Sequence, residues 1–314
     1  MVTNITGSVW STVTPKDRQT ALRSLVDAGG TIVLPGVVDG LTARLVEDAG
    51  FAAGYITGAG VANTTLGLPD IGLLTFDAML TQAMRITAVT SIPFIIDGDT
   101  GYGGPTTTRN AVHQFERLGI AGIQIEDQAL PKRCGHFDGK QLVTTAEMQM
   151  KVDAIAQARS NPDFLIIART DARAVEGLPA ALERVRAYHR AGADVLFVEA
   201  PQDLDEVRHV AEQLDGVPLL LNIVEGGKTP AVTAAEAAEL GITFLLHANF
   251  LMRSMIKSVQ GSLAHLRTAG ETASVPERYV TWEERQRILG LPQLDEWEDS
   301  LAMRWNTDGA KAQD

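Results

Sequence analysis

The chain has 314 residues, 45% of them hydrophobic and 21% charged, which is enough for one large α/β domain or two smaller ones. A formal charge of −12 argues against nucleic acid or an anionic membrane as a partner, and a single cysteine excludes an intramolecular disulfide framework. The opening residues show no basic start followed by an apolar core and no run is long enough to span a bilayer, so a cytoplasmic setting is expected.

After the polar first residues, short β-branched runs alternate with amphipathic segments until about residue 265. TIVLPGVV (31–38) reads as a strand and DGLTARLVEDAG (39–50) as the helix after it. Strands AAGYITG (52–58) and IPFIIDGD (92–99) come next, then the helix TTTRNAVHQFERLGI (106–120) and the strands AGIQIED (121–127) and DFLIIARTD (163–171). The helix GLPAALERVRAYHRAGA (177–193) leads to the strands DVLFVEA (194–200), PLLLNIVE (218–225) and TFLLHAN (243–249). Eight strand-helix units in about 250 residues give the fold class: α/β, a (β/α)8 TIM barrel. An open doubly wound sheet is the weaker reading, because LPGVVDG after the first strand lacks the G-x-G-x-x-G turn. Residues 271–314 form a C-terminal helical extension to a barrel domain of residues 1–270. The extension carries one or two amphipathic helices, with Trp282, Leu289, Leu291, Leu294 and Trp297 needing a surface to pack on.

The apolar strands end in polar residues, and in a barrel those C-terminal ends share the face that carries chemistry. Thr57-Gly58, Asp97 and Asp99, Glu126 and Asp127, Arg169 and Asp171, Glu199, Asn222 and Glu225, and His247 and Asn249 occupy them. Asp97 and Asp99 lie two apart on one strand, so both side chains are expected at the mouth. Two such close carboxylates repel unless a cation or a proton sits between them. With Glu126 they make an all-oxygen cluster suited to Mg2+ or Mn2+ rather than zinc. The alternative is a structural network in which Arg169 and Lys132 pair with these carboxylates.

The only cysteine, Cys134, stands in PKRCGHFDGK after the fourth strand, among Lys132, Arg133, His136 and glycines. Nearby cations favour thiolate, whereas a proton shared with His136 or a glutamate lets the thiol act as a general acid. Neither zinc-ligand spacing nor H-E-x-x-H occurs, and no G-x-S-x-G supports a serine hydrolase.

The stretches LPGVVDGLTARLVEDAGF, YITGAGVANTTLGLPDIG, IIDGDTGYGG, IEDQALPKRCGHFDGK, IIARTDARAVEG, FVEAP and NIVEGGKTP follow one another in this order. Over nearly the whole barrel they closely resemble the isocitrate lyase/phosphoenolpyruvate mutase superfamily, in its 2-methylisocitrate lyase and 2,3-dimethylmalate lyase-like branch. The resemblance implies a homotetramer, a dimer of dimers with the last helix exchanged between subunits, and Mg2+ holding an α-keto acid or its enolate. Under it, Asp97 and Asp99 match the magnesium carboxylates, with Glu126 bonding through water. Thr57, Gly58 and Ala59 match the segment that holds the keto acid. Arg169 matches the cation that stabilises the enolate, and Glu199, Asn222 and Arg253 match further substrate contacts. Cys134 matches the thiol that protonates the carbanion, with Gly135 and His136 beside it.

Two departures bear on the substrate. Trp282 aligns where methylisocitrate lyases carry an arginine, which points to a dicarboxylate bearing an alkyl group. HANFLMR (247–253) looks more like phosphoenolpyruvate mutase and phosphonopyruvate hydrolase members. The leading expectation is therefore a Mg2+-dependent carbon-carbon lyase releasing pyruvate from a 2-alkylmalate or 2-methylisocitrate type substrate. Glu199 or a metal-bound water is the base. Mutase or phosphonopyruvate hydrolase chemistry, oxaloacetate decarboxylation or hydrolysis, and non-catalytic carboxylate binding are the alternatives.

Overall fold

The computed structural model describes residues 9–132 and 139–309. Its strands are β1 Ile32–Val37, β2 Gly54–Ile56, β3 Phe94–Asp97, β4 Gly122–Glu126, β5 Leu165–Thr170, β6 Val195–Val198, β7 Leu220–Asn222 and β8 Phe244–His247. All pair in parallel in the order β6-β5-β4-β3-β2-β1-β8-β7, and a parallel bridge between Leu196 and Leu219 joins the two ends into a barrel. Each strand lies inside its predicted run and is shorter, because the last predicted residues leave the ladder and turn over the mouth.

The helices that cover the sheet are α1 Pro15–Asp27, α2 Gly40–Asp48, α3 Gly58–Val61, α4 Phe76–Val89, α5 Pro105–Arg117, α6 Thr145–Ala158, α7 Ala172–Val175, α8 Leu178–Arg190, α9 Leu204–Gln213 and α10 Ala234–Glu239. The chain closes with α11 Phe250–Ala269, α12 Trp282–Leu289 and α13 Leu291–Gly309. No helix among the described residues is long and apolar enough to cross a membrane. Most helices start on a side chain that fits the purpose. Asp39, Thr57, Thr144, Asp203 and Thr233 each accept a bond from a first-turn N–H that has no helical partner.

The sequence reading passed over α1 as part of the polar start. Its signals are local and modest: Thr14 and Asp17 form a capping box around Pro15. One buried face holds it. Leu22 joins the residues inside the barrel, Gln19 Nε2 donates to the Ile120 carbonyl at 3.1 Å, and Arg18 Nη2 donates to the Thr87 carbonyl at 2.7 Å. The helix closes the end of the barrel opposite the mouth.

Two apolar layers share the strands by period-two alternation. Leu34, Tyr55, Ile95, Leu165, Ile167, Val195, Phe197, Leu220, Phe244 and Leu246 fill the interior. Ile56, Ile96, Ile123, Ile125, Ile166, Ala168, Leu196, Val198, Leu221 and Leu245 face the helices. That alternation decides which polar residues at the strand ends reach the interior. In the tail, Gly290, at φ +82°, supplies the left-handed residue that ends α12 before α13.

Candidate active site

Counting outward from the apolar interior residues gives the lining of the mouth. Tyr55 is followed at the same parity by Thr57, Ile95 by Asp97, Ile167 by Arg169, Phe197 by Glu199 and Leu220 by Asn222. On β4, Gln124 and Glu126 take the interior positions between Ile123, Ile125 and Asp127. Thr57, Ala59, Asp97, Gln124, Glu126, Arg169, Glu199 and Asn222 all line one pocket, with Tyr55, Asp70, Lys132, Phe197, Val224, Leu246, Ala248 and Asn249.

Arg169 is the buried cation at its centre. Asp171 takes one edge of the guanidinium, with Nε and Nη2 each 3.1 Å from a carboxylate oxygen. Nη1 lies 3.2 Å from Glu126 Oε2, and Nε lies 3.6 Å from Glu199 Oε2. The Phe197 ring sits under the guanidinium at 5.4 Å. Burial by itself would disfavour this charge, but Asp171, Glu126 and Glu199 outweigh it and hold the Arg169 pKa above its ordinary value. Burial dominates at Glu126, whose carboxyl is pushed well up despite Arg169. At Asp171 burial is outweighed by Arg169 and Lys140, and the pKa falls.

On the outer side of β4 and β5 a second network fixes the strand ends. Asp127, with no exposed surface, accepts from the Thr170 hydroxyl at 2.6 Å, the Tyr188 hydroxyl at 2.8 Å and the Asp171 N–H at 2.9 Å. Arg184 Nη1 approaches the same carboxylate at 3.5 Å.

Asp97 and Asp99 part company. β3 stops at Asp97, and Asp99 has φ +54°, so strand alternation no longer aims its side chain. The expectation that both project alike from one strand is corrected on this point. Asp99 N–H donates to Asp97 Oδ1 at 3.0 Å, and Asp97 Oδ2 accepts from the Gly58 N–H at 3.2 Å. A Cβ on Gly58 would stand 2.8 Å from Asp97 Oδ2, so only glycine admits this approach. Lys132 Nζ bridges Asp99 Oδ2 at 3.3 Å and Asp70 Oδ1 at 2.7 Å. Burial raises the Asp99 carboxyl to about 6, with Lys132 opposing. Lys132 itself is held above its usual value, since Glu126, Asp99, Asp97 and Asp70 together exceed the burial penalty.

Among the described residues, Asp99 Oδ1 and Glu126 Oε1 are buried with no hydrogen-bond partner. Such oxygens in an acidic, all-oxygen cluster are suitable donors for a hard divalent cation. Among the described residues no three His, Cys, Asp or Glu side chains converge into a ready metal cage. Magnesium does not need one, because it keeps water ligands and takes only one or two carboxylates directly. The residues present fit that ion, while Lys132 and Arg169 also form the ion pairs of the structural alternative.

Comparison with known proteins fits this arrangement. The model of the phosphoenolpyruvate phosphomutase family matches residues 22–267. The chain belongs to that family. It is 38% identical to the 2,3-dimethylmalate lyase of Eubacterium barkeri, over 90% of this chain and 97% of that protein. It is also 38% identical to the 2-methylisocitrate lyase of Shewanella oneidensis, over 85% of this chain and 91% of that one. Among solved structures, oxaloacetate acetylhydrolase bound to 3,3-difluorooxalacetate matches with a TM-score of 0.87 at 33% identity, covering 92% of this chain and 98% of that one.

Within this member of the phosphoenolpyruvate phosphomutase family, five residues singled out in the sequence stand away from the pocket or outside the described residues. Arg253, on α11, bonds the Glu225 carbonyl and lies 3.2 Å from its carboxylate, in an open groove outside the pocket. Trp282 starts α12, exposed beneath the Arg285 guanidinium at 3.9 Å, and does not line the pocket. Cys134, Gly135 and His136 lie outside the described residues. The reading missed Asp70, Tyr55 and Gln124. Asp70 sits far along the chain from any strand end, and only folding brings it to Lys132. Tyr55 and Gln124 were legible by parity alone: the Tyr55 hydroxyl donates to Gln124 Oε1 at 2.6 Å beneath the mouth.

Proposed function

We propose that this chain is a Mg2+-dependent carbon-carbon lyase that cleaves a 2-alkylmalate such as 2,3-dimethylmalate, or a 2-methylisocitrate type substrate, to pyruvate and a carboxylic acid. The observation that carries this reading is the fixed Arg169 guanidinium between Glu126 and Glu199 in the pocket, in a chain 38% identical to a 2,3-dimethylmalate lyase. Cleavage needs a base for the substrate hydroxyl, a cation where oxygen charge develops and a proton for the carbon left behind.

Glu199 is the proposed base and takes the proton of the C2 hydroxyl. The C2–C3 bond then breaks, its electron pair passes to C3, and C2 with its oxygen becomes the keto carbon of pyruvate. Arg169 offsets the negative charge that develops on oxygen. Cys134, assisted by His136 and Gly135, donates the proton that C3 acquires, so the proton lost by the hydroxyl stays on Glu199 until it exchanges with solvent. Thr57, Gly58 and Ala59 hold the keto-acid end, and Asn222, whose Oδ1 is buried with no hydrogen-bond partner among the described residues, contacts the substrate. Arg253 joins these contacts only on leaving Glu225. Asp97 and Asp99, with Glu126 through water, would hold Mg2+ or Mn2+, which supplies Lewis-acid polarisation of the keto-acid oxygens when bound.

The same reading includes a cytoplasmic homotetramer in which the C-terminal helices pack on a neighbouring subunit. Exposed Val259, Leu263, Trp297 and Trp305 support it, since such apolar faces are kept for partners. The test is a metal-supplemented screen of 2,3-dimethylmalate, 2-methylisocitrate, oxaloacetate and phosphonopyruvate for products. Pyruvate from the first or second is expected; turnover of oxaloacetate or phosphonopyruvate alone overturns the assignment. Cys134→Ser should lower lyase turnover by roughly 10²–10⁴-fold, the usual worth of a general acid, and leave keto-acid binding intact. Wild-type turnover by that variant removes the thiol from the mechanism.

A further inference from the structure

Lys140 is an unusual cation to find at the base of this site. Its side chain is 1% exposed, and its Nζ lies 2.7 Å from Asp171 Oδ1. That oxygen is the one that also accepts from Arg169 Nη2, at 3.1 Å. The main chain of Asp171 is anchored, because its N–H donates to Asp127 Oδ1 at 2.9 Å and Asp127 in turn accepts from the Thr170 and Tyr188 hydroxyls. One carboxylate on an anchored main chain therefore serves two buried cations.

The charge of Asp171 is already met by the two-pronged bond from Arg169, and desolvating a lysine against it is unfavourable unless the arrangement is needed. Without Lys140, Asp171 and Arg169 would form a closed pair, with the guanidinium charge largely satisfied on the side away from the pocket. With Lys140 sharing Oδ1, Arg169 keeps attraction for what faces its Nη1 edge. At present that is Glu126 at 3.2 Å, inside the pocket.

We propose that Lys140 and Asp171 are positioning residues for Arg169: their shared ion pair sets the orientation of the guanidinium and the charge it presents to an anionic oxygen of a bound ligand. Neither residue touches the ligand. The inference takes from the lyase reading only which reaction is affected, because its first readout is ligand binding.

Oxalate is the probe, a planar dianion shaped like the enolate of a keto acid. Its affinity is measured by calorimetry on the full chain with Mg2+ for wild type, Lys140→Met, Lys140→Arg and Asp171→Asn, alongside thermal melts. Lys140→Met should weaken oxalate binding about tenfold or more, in line with the loss of a buried charge-assisted contact. It should also lower kcat for the lyase substrate more than it raises KM. Lys140→Arg should recover most of both, and Asp171→Asn should also weaken oxalate, because losing the two-pronged anchor on Nε and Nη2 misorients the guanidinium and outweighs the negative charge removed. A folded Lys140→Met that binds oxalate like wild type overturns the proposal, as does a Lys140→Arg no better than Lys140→Met. If Lys140→Met does not fold, Asp171→Asn decides alone, and wild-type oxalate affinity there is fatal. A wild-type protein that binds no oxalate also ends the proposal. One that binds oxalate and shows these losses, yet cleaves no malate-type substrate, sinks the lyase reading and leaves this inference standing.

Discussion

The barrel mouth and the C-terminal tail reverse the usual division between interior and surface in opposite ways. Around Arg169 the chain buries Glu126, Asp127, Asp171, Glu199, Lys132 and Lys140, and their charges meet partners within the same chain. Along α11 to α13 it exposes Val259, Leu263, Trp297, Met303 and Trp305. Buried charge is unfavourable unless every group is met by geometry, so it persists where a fixed field is useful. Exposed apolar faces persist where another surface covers them. The mouth is thus organised within one chain, while the tail leaves apolar side chains exposed, which the proposed assembly would cover.

Three changes press on that contrast. Asp97→Ala should have the largest effect, removing metal-dependent turnover by about 10³-fold or more if this carboxylate holds the ion that stabilises the developing charge. A magnesium titration of activity checks it; undiminished turnover at saturating metal would detach the acidic rim from the reaction. Asp127→Ala comes next and acts on stability. It leaves the Thr170 and Tyr188 hydroxyls, the Asp171 N–H and Arg184 facing an empty site, and should lower the unfolding free energy by about 3 kcal/mol. Denaturant melts read this directly, and an unchanged midpoint would mean that water replaces the carboxylate without loss. The smallest effect on the fold should come from Val259→Glu with Leu263→Glu. Two surface changes should cost the isolated subunit no more than about 1 kcal/mol, yet light scattering should show smaller assemblies. Assemblies of wild-type size would mean that this face of α11 is not a subunit contact.

The alternation of LIIART and GIQIE was enough to set Arg169 and Glu126 on the same face as buried Ile167 and Gln124. Asp99 failed the same rule because the ladder stops two residues earlier, at Asp97, and the backbone enters the left-handed region. Arg253 failed for a different reason: a helix beginning just after β8 projects its side chains around a full turn, and Glu225 captures this one. The segment of Cys134, Gly135 and His136 lies outside the described residues, so its role rests on sequence and on the chemistry that cleavage demands.

By itself the sequence determined the (β/α)8 architecture, since strand-period and helix-period hydrophobicity are local properties that leave few closed arrangements. It also placed Asp97, Glu126 and Arg169 at strand ends, though not Asp99. Only the tertiary structure decided that Lys140 shares Asp171 with Arg169, that Lys132 links Asp70 to Asp99, and that α1 seals the far end of the barrel. Those contacts join residues distant along the chain, and no local pattern records a charge whose partner is fixed only when the barrel closes.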